Sequence, residues 1–405
     1  MAYPVTRLAQ APLEIIDGDR GKAYPKQNEF SDAGYCLFLS ATNVTKTGFD
    51  FATGQFISEQ KDAQLRKGRL QRGDIVLTTR GTLGNAAYFD DRVPFERMRI
   101  NSGMVILRCN STKVLPSFLY AFLRSDNFKA QVERLRSGVA QPQLPIRDLN
   151  HVELPLPVPD RQARLAEIVS AYDDLIDHNR KRIALLEEAA RLLYREWFIH
   201  LRFPGHEHVK VKDGVPEGWT PRTLEDVVEL VDTTAKPAEF AKDDIHVGLE
   251  HIPRRSFTLA EWEPAAGLAS GKIRFLEGDI LFAKIRPYFH KVGFALRPGL
   301  ASSDALVWRV LDERDWPLVV CATSSDHFVA VASKTVREGS KMPRADWKVL
   351  KRYSIPKPPD GTLATFNETI RPITAQCKTL ALQSRALAKA RDLLLPRLMN
   401  GEIAV

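Results

Sequence analysis

Thr79-Arg80-Gly81-Thr82-Leu83-Gly84-Asn85 sets an arginine and an asparagine in a glycine-rich turn directly after an apolar run. Arg97, Arg99 and Asn101 form a second basic stretch, and Gln141 and Gln143 flank a proline. About two hundred residues on, Lys284-Ile285-Arg286-Pro287-Tyr288-Phe289-His290-Lys291 stands where that turn would recur. Lys341, Arg344 and Lys348 stand where the glutamine-bearing loop would recur. Arginine and lysine can read guanine, asparagine and glutamine can read adenine, and all four can hold phosphates. Contact to a base, contact to a phosphate, or neither stays open at each position.

Signatures of catalysis are missing from the same inventory. The sequence has no G-x-x-x-x-G-K-[ST] phosphate loop and no G-x-G-x-x-G cofactor turn. It also lacks the Asn-Pro-Pro-Tyr or Asp-Pro-Pro-Tyr cluster that holds a flipped adenine in amino-methyltransferases. One acid-x-Lys element, Asp346-Trp347-Lys348 with Asp326 upstream, has the outline of a metal-nuclease site. Such a pattern arises often by chance. His200, His206 and His208 have no cysteine or acidic set at zinc-like spacing, so they read as a solvated linker. No catalytic or metal-binding residue is expected.

Charge supports a polyanion reader. The net charge of +8 is unevenly spread: residues 61–108 hold 10 basic and 5 acidic side chains, and residues 333–357 hold 8 and 2. Local basic surfaces on otherwise mixed domains are the footprint of a nucleic-acid binder. Four scattered cysteines argue against disulfides and zinc, and no apolar stretch reaches the ~18 residues of a membrane span. A cytoplasmic protein with no membrane contact is the expectation.

An internal duplication must position these residues. Ser137-Gly138-Val139-Ala140-Gln141-Pro142 recurs as Glu338-Gly339-Ser340-Lys341-Met342-Pro343, an offset of 201 that also pairs Pro155 with Pro356 and Pro157 with Pro358. Arg72-Gly73-Asp74-Ile75-Val76-Leu77 recurs as Glu277-Gly278-Asp279-Ile280-Leu281-Phe282 at an offset of 205. Each copy starts as a mixed α/β globule, at 1–152 and 215–354. Runs such as 75–79, 104–107, 272–275 and 305–308 read as strands, with single helices at 116–136 and 316–334. A proline-rich break follows each globule. Long helices are then expected at 160–201 and 362–402, each about 60 Å for ~40 residues.

The apolar stripes of those helices have coiled-coil spacing, so each has the other copy as its natural partner. Leu165, Ile168, Tyr172, Leu175, Asn179, Leu186 and Leu193 mark the first stripe, which Val169, Ile176, Ile183 and Trp197 widen. Phe366, Ile370, Ile373, Cys377, Leu380, Leu387, Leu394 and Leu398 mark the second. The first stripe exceeds what one helix would cover. Ile183, Leu186, Leu193, Trp197, Phe198, Leu387, Leu394 and Leu398 are therefore expected to meet partner proteins. The fold class is α+β: two globules joined by two long helices that pair as a coiled coil.

The segments Asp173-Asp174-Leu175-Ile176-Asp177-His178-Asn179-Arg180, Leu192 to Phe198, Pro216-Glu217-Gly218-Trp219 and Leu394 to Ile403 resemble the specificity subunits of type I restriction–modification systems. The likeness covers essentially the whole chain. Asp360-Gly361-Thr362-Leu363 departs from it, standing where a Glu-Gln pair is common. The resemblance implies two target recognition domains, each reading one half of a split, asymmetric site in double-stranded DNA, with the two helices packed as an antiparallel coiled coil about a pseudo-two-fold axis. Helix length would set the spacer between half-sites. Two methyltransferase subunits would bring S-adenosylmethionine chemistry to an adenine in each half-site. Two motor-nuclease subunits, using ATP and Mg²⁺, could then join. No cofactor is expected on this chain itself. A stand-alone DNA-binding regulator or scaffold is the alternative, needing the basic loops but not the partner-seeking helices.

Overall fold

The computed structural model describes residues 3–138, 142–334 and 342–403, so Gln141 and Lys341 lie outside the described residues. It divides into two units. The first comprises Met1–Asp174 with Leu387–Val405, and the second Leu175–Ala386.

In the first unit, an antiparallel sheet has the order Leu13–Asp17, Met104–Cys109, Ile75–Thr78, Ala86–Tyr88. Its central strands are apolar on both faces, because the helices Pro116–Leu123 and Asp126–Leu135 add to the core of one face and a smaller sheet to that of the other. That smaller sheet runs Phe56–Ile57, Cys36–Leu39, Met98–Ile100, the last pair parallel.

The second unit repeats the plan with more strands. One sheet runs Val228–Leu230, Ala305–Val310, Ile280–Ala283, Val292–Ala295, Thr258–Leu259. The other runs Thr234–Ala235, Lys272–Phe275, Gly299–Ala301, Ile245–Val247, Glu263–Pro264. The register itself is repeated. Val105 faces Leu77 in the first unit, and Leu306 faces Phe282 in the second, a shift of 201 on one strand and 205 on the other.

The Arg-Gly-Asp and Glu-Gly-Asp elements are the tight turns before these central strands. Gly73 and Gly278 take φ of 94° and 86°, a region that favours glycine. Asp74 accepts two hydrogen bonds from Arg108, at 2.8 and 2.7 Å, and Asp279 two from Arg309, at 3.0 and 2.8 Å. These arginines bind the turn to the neighbouring strand.

Each single helix expected after the last sheet strand is two helices. Ser125 Oγ accepts from the Phe128 amide at 3.2 Å and starts a new helix. Ser325 Oγ does the same for Phe328 at 3.1 Å. A serine hydroxyl offers the next turn a capping partner, which breaks the apolar run without a glycine or proline.

The long helices are Pro159–Tyr194, continued by a π-turn at Arg195–Ile199, and Asp360–Met399. In the first unit, Leu165 and Val169 share a core with Leu395, Leu398 and Met399. In the second unit, Tyr194, Trp197 and Phe198 share one with Phe366 and Ile370. Opposite ends of the two helices thus meet within each unit, as an antiparallel pair requires. Ile176 is buried on the first seam, whereas Leu175, placed on it by heptad counting, is exposed. Asn179 is buried.

The globule surfaces also clasp the helices through polar groups. Glu187 is buried and accepts from Ser256 Oγ and from the amides of Phe257 and Thr258, at 2.8, 3.1 and 2.9 Å. Asp173 pairs with both Arg124 and Arg391.

Candidate nucleic-acid interface

The turn after each Ile75- or Ile280-led strand is bridged to the loop before a short helix. In the first unit Arg80 bridges Gln143, and the Leu144 amide donates to Thr79 O at 3.0 Å. The amides of Thr79 and Arg80 donate to Gly103 O at 2.8 and 3.1 Å, and Asn101 Oδ1 accepts from the Gly103 amide. Three chain segments thereby bring Arg80, Asn101 and Gln143 together. Arg80 is exposed, and Asn101 and Gln143 are half-buried.

The second unit builds the same junction from other side chains. Ile285 bridges Arg344, the Ala345 amide donates to Lys284 O at 2.8 Å, and the Lys284 amide donates to Asp304 O at 3.1 Å. Arg344 is exposed and lies 3.4 Å from the Asp304 carboxylate. The arginine has changed sides of the bridge: it comes from the turn in one unit and from the facing loop in the other.

Arg286 occupies the place of Gly81. Gly81 has φ of 75° and Arg286 has 51°, so an arginine holds a backbone conformation suited to glycine. Left-handed backbone costs a non-glycine residue on the order of 1–2 kcal/mol, and such strain clusters at functional sites. Tyr288 is exposed next to it, and Lys348 is exposed on the following short helix. The ammonium groups of Lys284 and Lys291 are drawn onto the carbonyls of Ser303 and Leu249. Asn85 is half-buried and donates to Val44 O at 3.1 Å. These three side chains already hold loops.

Arg99 is a correction. It is only 4% exposed, pairs with buried Asp62, and donates to the carbonyls of Lys67, Asp62 and Leu65 at 2.7, 2.9 and 3.1 Å. Its fixed fork of donors suits it to close the end of the Glu59–Gln64 helix, and its burial keeps it from DNA. Arg97 is exposed and stands 4.5 Å over the Tyr35 ring.

The apolar candidates on the long helices need the same revision. Trp197 and Phe198 are buried against Phe366, with ring centroids 5.7 and 4.9 Å away, and Phe198 also meets Trp219. Ile183 and Leu193 pack on that core, while Leu394 and Leu398 belong to the core of the first unit. Leu186 and Leu387 are half-buried. The surplus width of the stripe is covered by the chain's own globules. Leu185, Leu192 and Ile199, seven residues apart and exposed, form the outward apolar line instead.

Arg254 escaped sequence reasoning. It is exposed, stacks 4.2 Å over Phe289 and bridges Lys291. Its only signal is the Arg254-Arg255 pair after Pro253. The nuclease outline has structural duties: Asp346 caps the Trp347–Leu350 helix by accepting from the Lys348 amide at 2.9 Å, and Asp326 pairs with Arg255.

Residues 13–188 match the model of the type I restriction modification DNA specificity domain. The type I restriction enzyme MjaIX specificity subunit of Methanocaldococcus jannaschii is 24% identical over 82% of this chain and 78% of its own. The HindI specificity subunit of Haemophilus influenzae is 21% identical over 95% and 98%. The chain is thus similar to type I specificity subunits over most of its length. Its fold matches the crystal structure of the S subunit from M. genitalium with a TM-score of 0.55, at 12% identity, over 98% of this chain and 96% of that one.

The thiols stand apart from any chemistry. Burial pushes Cys36, Cys109, Cys321 and Cys377 up to about 12, so they stay protonated. Among the described residues, no helix is long and apolar enough to cross a membrane.

Proposed function

We propose that this chain is the non-catalytic, sequence-reading subunit of a type I assembly, with each unit reading one half of a split, asymmetric DNA site. The observation that carries this reading is the repeated junction with exchanged side chains, Arg80 and Gln143 in one unit, Ile285 and Arg344 in the other. A framework shared by the two units presents loops of the same geometry to the same polymer. Different donors at equal positions select different bases. Two half-sites that differ follow from two units that differ.

Adenine methylation then belongs to two methyltransferase subunits carrying S-adenosylmethionine, and restriction to two ATP- and Mg²⁺-dependent motor subunits, in the cytoplasm. The exposed line Leu185, Leu192 and Ile199 is one helical surface left for a methyltransferase subunit, and the length of the helices sets the spacer. Coexpression with the adjacent methyltransferase and mapping of methylated adenines tests the proposal. A split motif that disappears without this chain is expected. Methylation without the chain, or at a continuous motif, would overturn it.

A further inference from the structure

His246 and Glu263 face each other on the neighbouring strands Ile245–Val247 and Glu263–Pro264 of the second unit, with Nδ1 2.8 Å from Oε1. His251 follows in the turn after the first of these strands, its ring centroid 6.3 Å from that of His246. One ligand atom from each of the three side chains lies within 4.8 Å of the other two. Donors around one tetrahedral zinc, each about 2.0–2.2 Å from the ion, sit roughly 3–3.5 Å apart. Small movements of His251 and Glu263, both partly exposed, would close the set.

A second observation concerns His246 alone. The residue is 6% exposed, and its Nε2 is buried with no hydrogen-bond partner. Buried polar atoms are paired with few exceptions, so His246 is a ligand-type side chain whose hydrogen bonding the fold leaves incomplete.

The sister unit shows that the fold does not require a histidine here. Its corresponding parallel strand pair is Cys36–Leu39 with Met98–Ile100, against Ile245–Val247 with Gly299–Ala301. Phe38 faces Arg99 as His246 faces Leu300, and the Phe38 amide donates to Gln55 O. Phe38 and Gln55 therefore stand where His246 and Glu263 do. One unit fills the place with a ring that needs no partner, the other with a ligand pair.

We propose that His246, His251 and Glu263 bind a divalent transition-metal ion of the zinc class, and that this site belongs to the second unit only. Two imidazoles and a carboxylate are a neutral-plus-anionic donor set suited to such an ion, leaving a position for water. His251 Nδ1 accepts from the Gly248 amide at 2.9 Å. Ligation through either ring nitrogen of His251 gives up that one loop hydrogen bond. In return the ion ties the turn 248–251 to the sheet. The Leu249 carbonyl in that turn holds the Lys291 ammonium.

The test is zinc retention by the full chain after dialysis, read by elemental analysis, with melting temperature followed in parallel. His246→Phe with Glu263→Gln installs the residues that the first unit already uses, so the fold has a precedent for both. Wild type should keep about one zinc per chain and melt higher with zinc than without it, as a ligand of the native state must make it do. The double variant should fold, keep none and show no zinc-dependent shift. The proposal is overturned if wild type and the double variant retain equal zinc. It is equally overturned if retention survives the double variant but vanishes with His206→Ala and His208→Ala, the exposed histidines beyond the first long helix.

Discussion

Gln162 and Asn367 reach one equivalent carbonyl from two places. In the first unit buried Gln162 accepts from the Leu115 amide and donates to Lys113 O and Pro157 O, at 2.8, 2.9 and 2.8 Å. The residue 201 positions later is Leu363, which is buried in the apolar core of the second unit. There the carbonyl of Arg314, 201 positions after Lys113, receives Asn367 Nδ2 at 2.7 Å. Asn367 stands one helical turn after Leu363, where the first helix has Ala166. Residues four apart share a helix face, so the amide clamp has moved one turn along without leaving its groove. The arginines at the loop junctions behave alike, changing sides of a bridge that stays. Function is held by the place that a polar group reaches, and two sequence positions can reach the same place.

Exchanging residues between the units tests this comparison, and the largest effect is expected at Arg99. Arg99→Leu, the residue of the second unit at Leu300, leaves buried Asp62 without its close partner and takes one donor from each of three carbonyls. Breaking a buried pair from one side costs about 3–5 kcal/mol. Urea unfolding should show that loss in the first unit alone; a change below 1 kcal/mol would mean that water replaces the pair.

Gln162→Leu should cost roughly 2–3 kcal/mol, because a buried amide and two carbonyls lose their partner at once. Adding Ala166→Asn should restore part of it if the clamp can move in the first unit as it has in the second. No recovery in the double variant would sink the idea that the two positions are interchangeable.

Next come the junction arginines. Arg80→Ala and Arg344→Ala should each weaken DNA binding by about 1–3 kcal/mol if they read a base, with relaxed sequence preference in one half-site each. Mapping methylated sites with both variants distinguishes the units. A uniform loss with a flatter salt dependence would assign the residue to phosphate instead.

Arg286→Gly should stabilise the second unit by about 1 kcal/mol, since it relieves left-handed strain at φ of 51°, while weakening DNA binding. A variant that is more stable and binds equally well would make the strain incidental.

The smallest effect is a pH dependence. His290 is held below its usual 6.5, chiefly by burial, and its Nε2 lies 2.9 Å from Ser324 O. Asp326 opposes that shift, while Arg255 and Arg191 add to it. Protons therefore favour the unfolded chain: His290 costs nothing above pH 6.5, and stability is lost as pH falls from 6.5 through the lower folded value. The matching residue of the first unit is Asn85, which does not titrate. His290→Asn should reduce the loss of stability between pH 7 and 5.5, measured by thermal unfolding.

The duplication, the strand runs at Ile75 and Ile280, the proline breaks and the long amphipathic helices were legible because each rests on local periodicity or on residues repeated at one offset. Arg99 was not. Basic and exposed look alike in a string of letters, and only the fold brings Asp62 and three carbonyls around that guanidinium. Trp197 and Phe198 were misassigned for a related reason: a wide apolar stripe tells that something covers it, not whether the cover is another chain or the same one. Leu175 shows the narrower limit, since heptad counting errs by one residue where the seam shifts to Ile176. His246 lacked any signal and Arg254 had only its neighbouring arginine, because Glu263 and Phe289 meet them across 17 and 35 residues of chain.

Composition, period and repeat thus determined what this chain is made of: two related α/β units, two long helices, and basic loops in corresponding places. Tertiary structure decided which of those side chains remain free. A charge or ring is committed or available according to what the fold packs within a few ångströms of it, and that neighbourhood is assembled from residues distant in sequence.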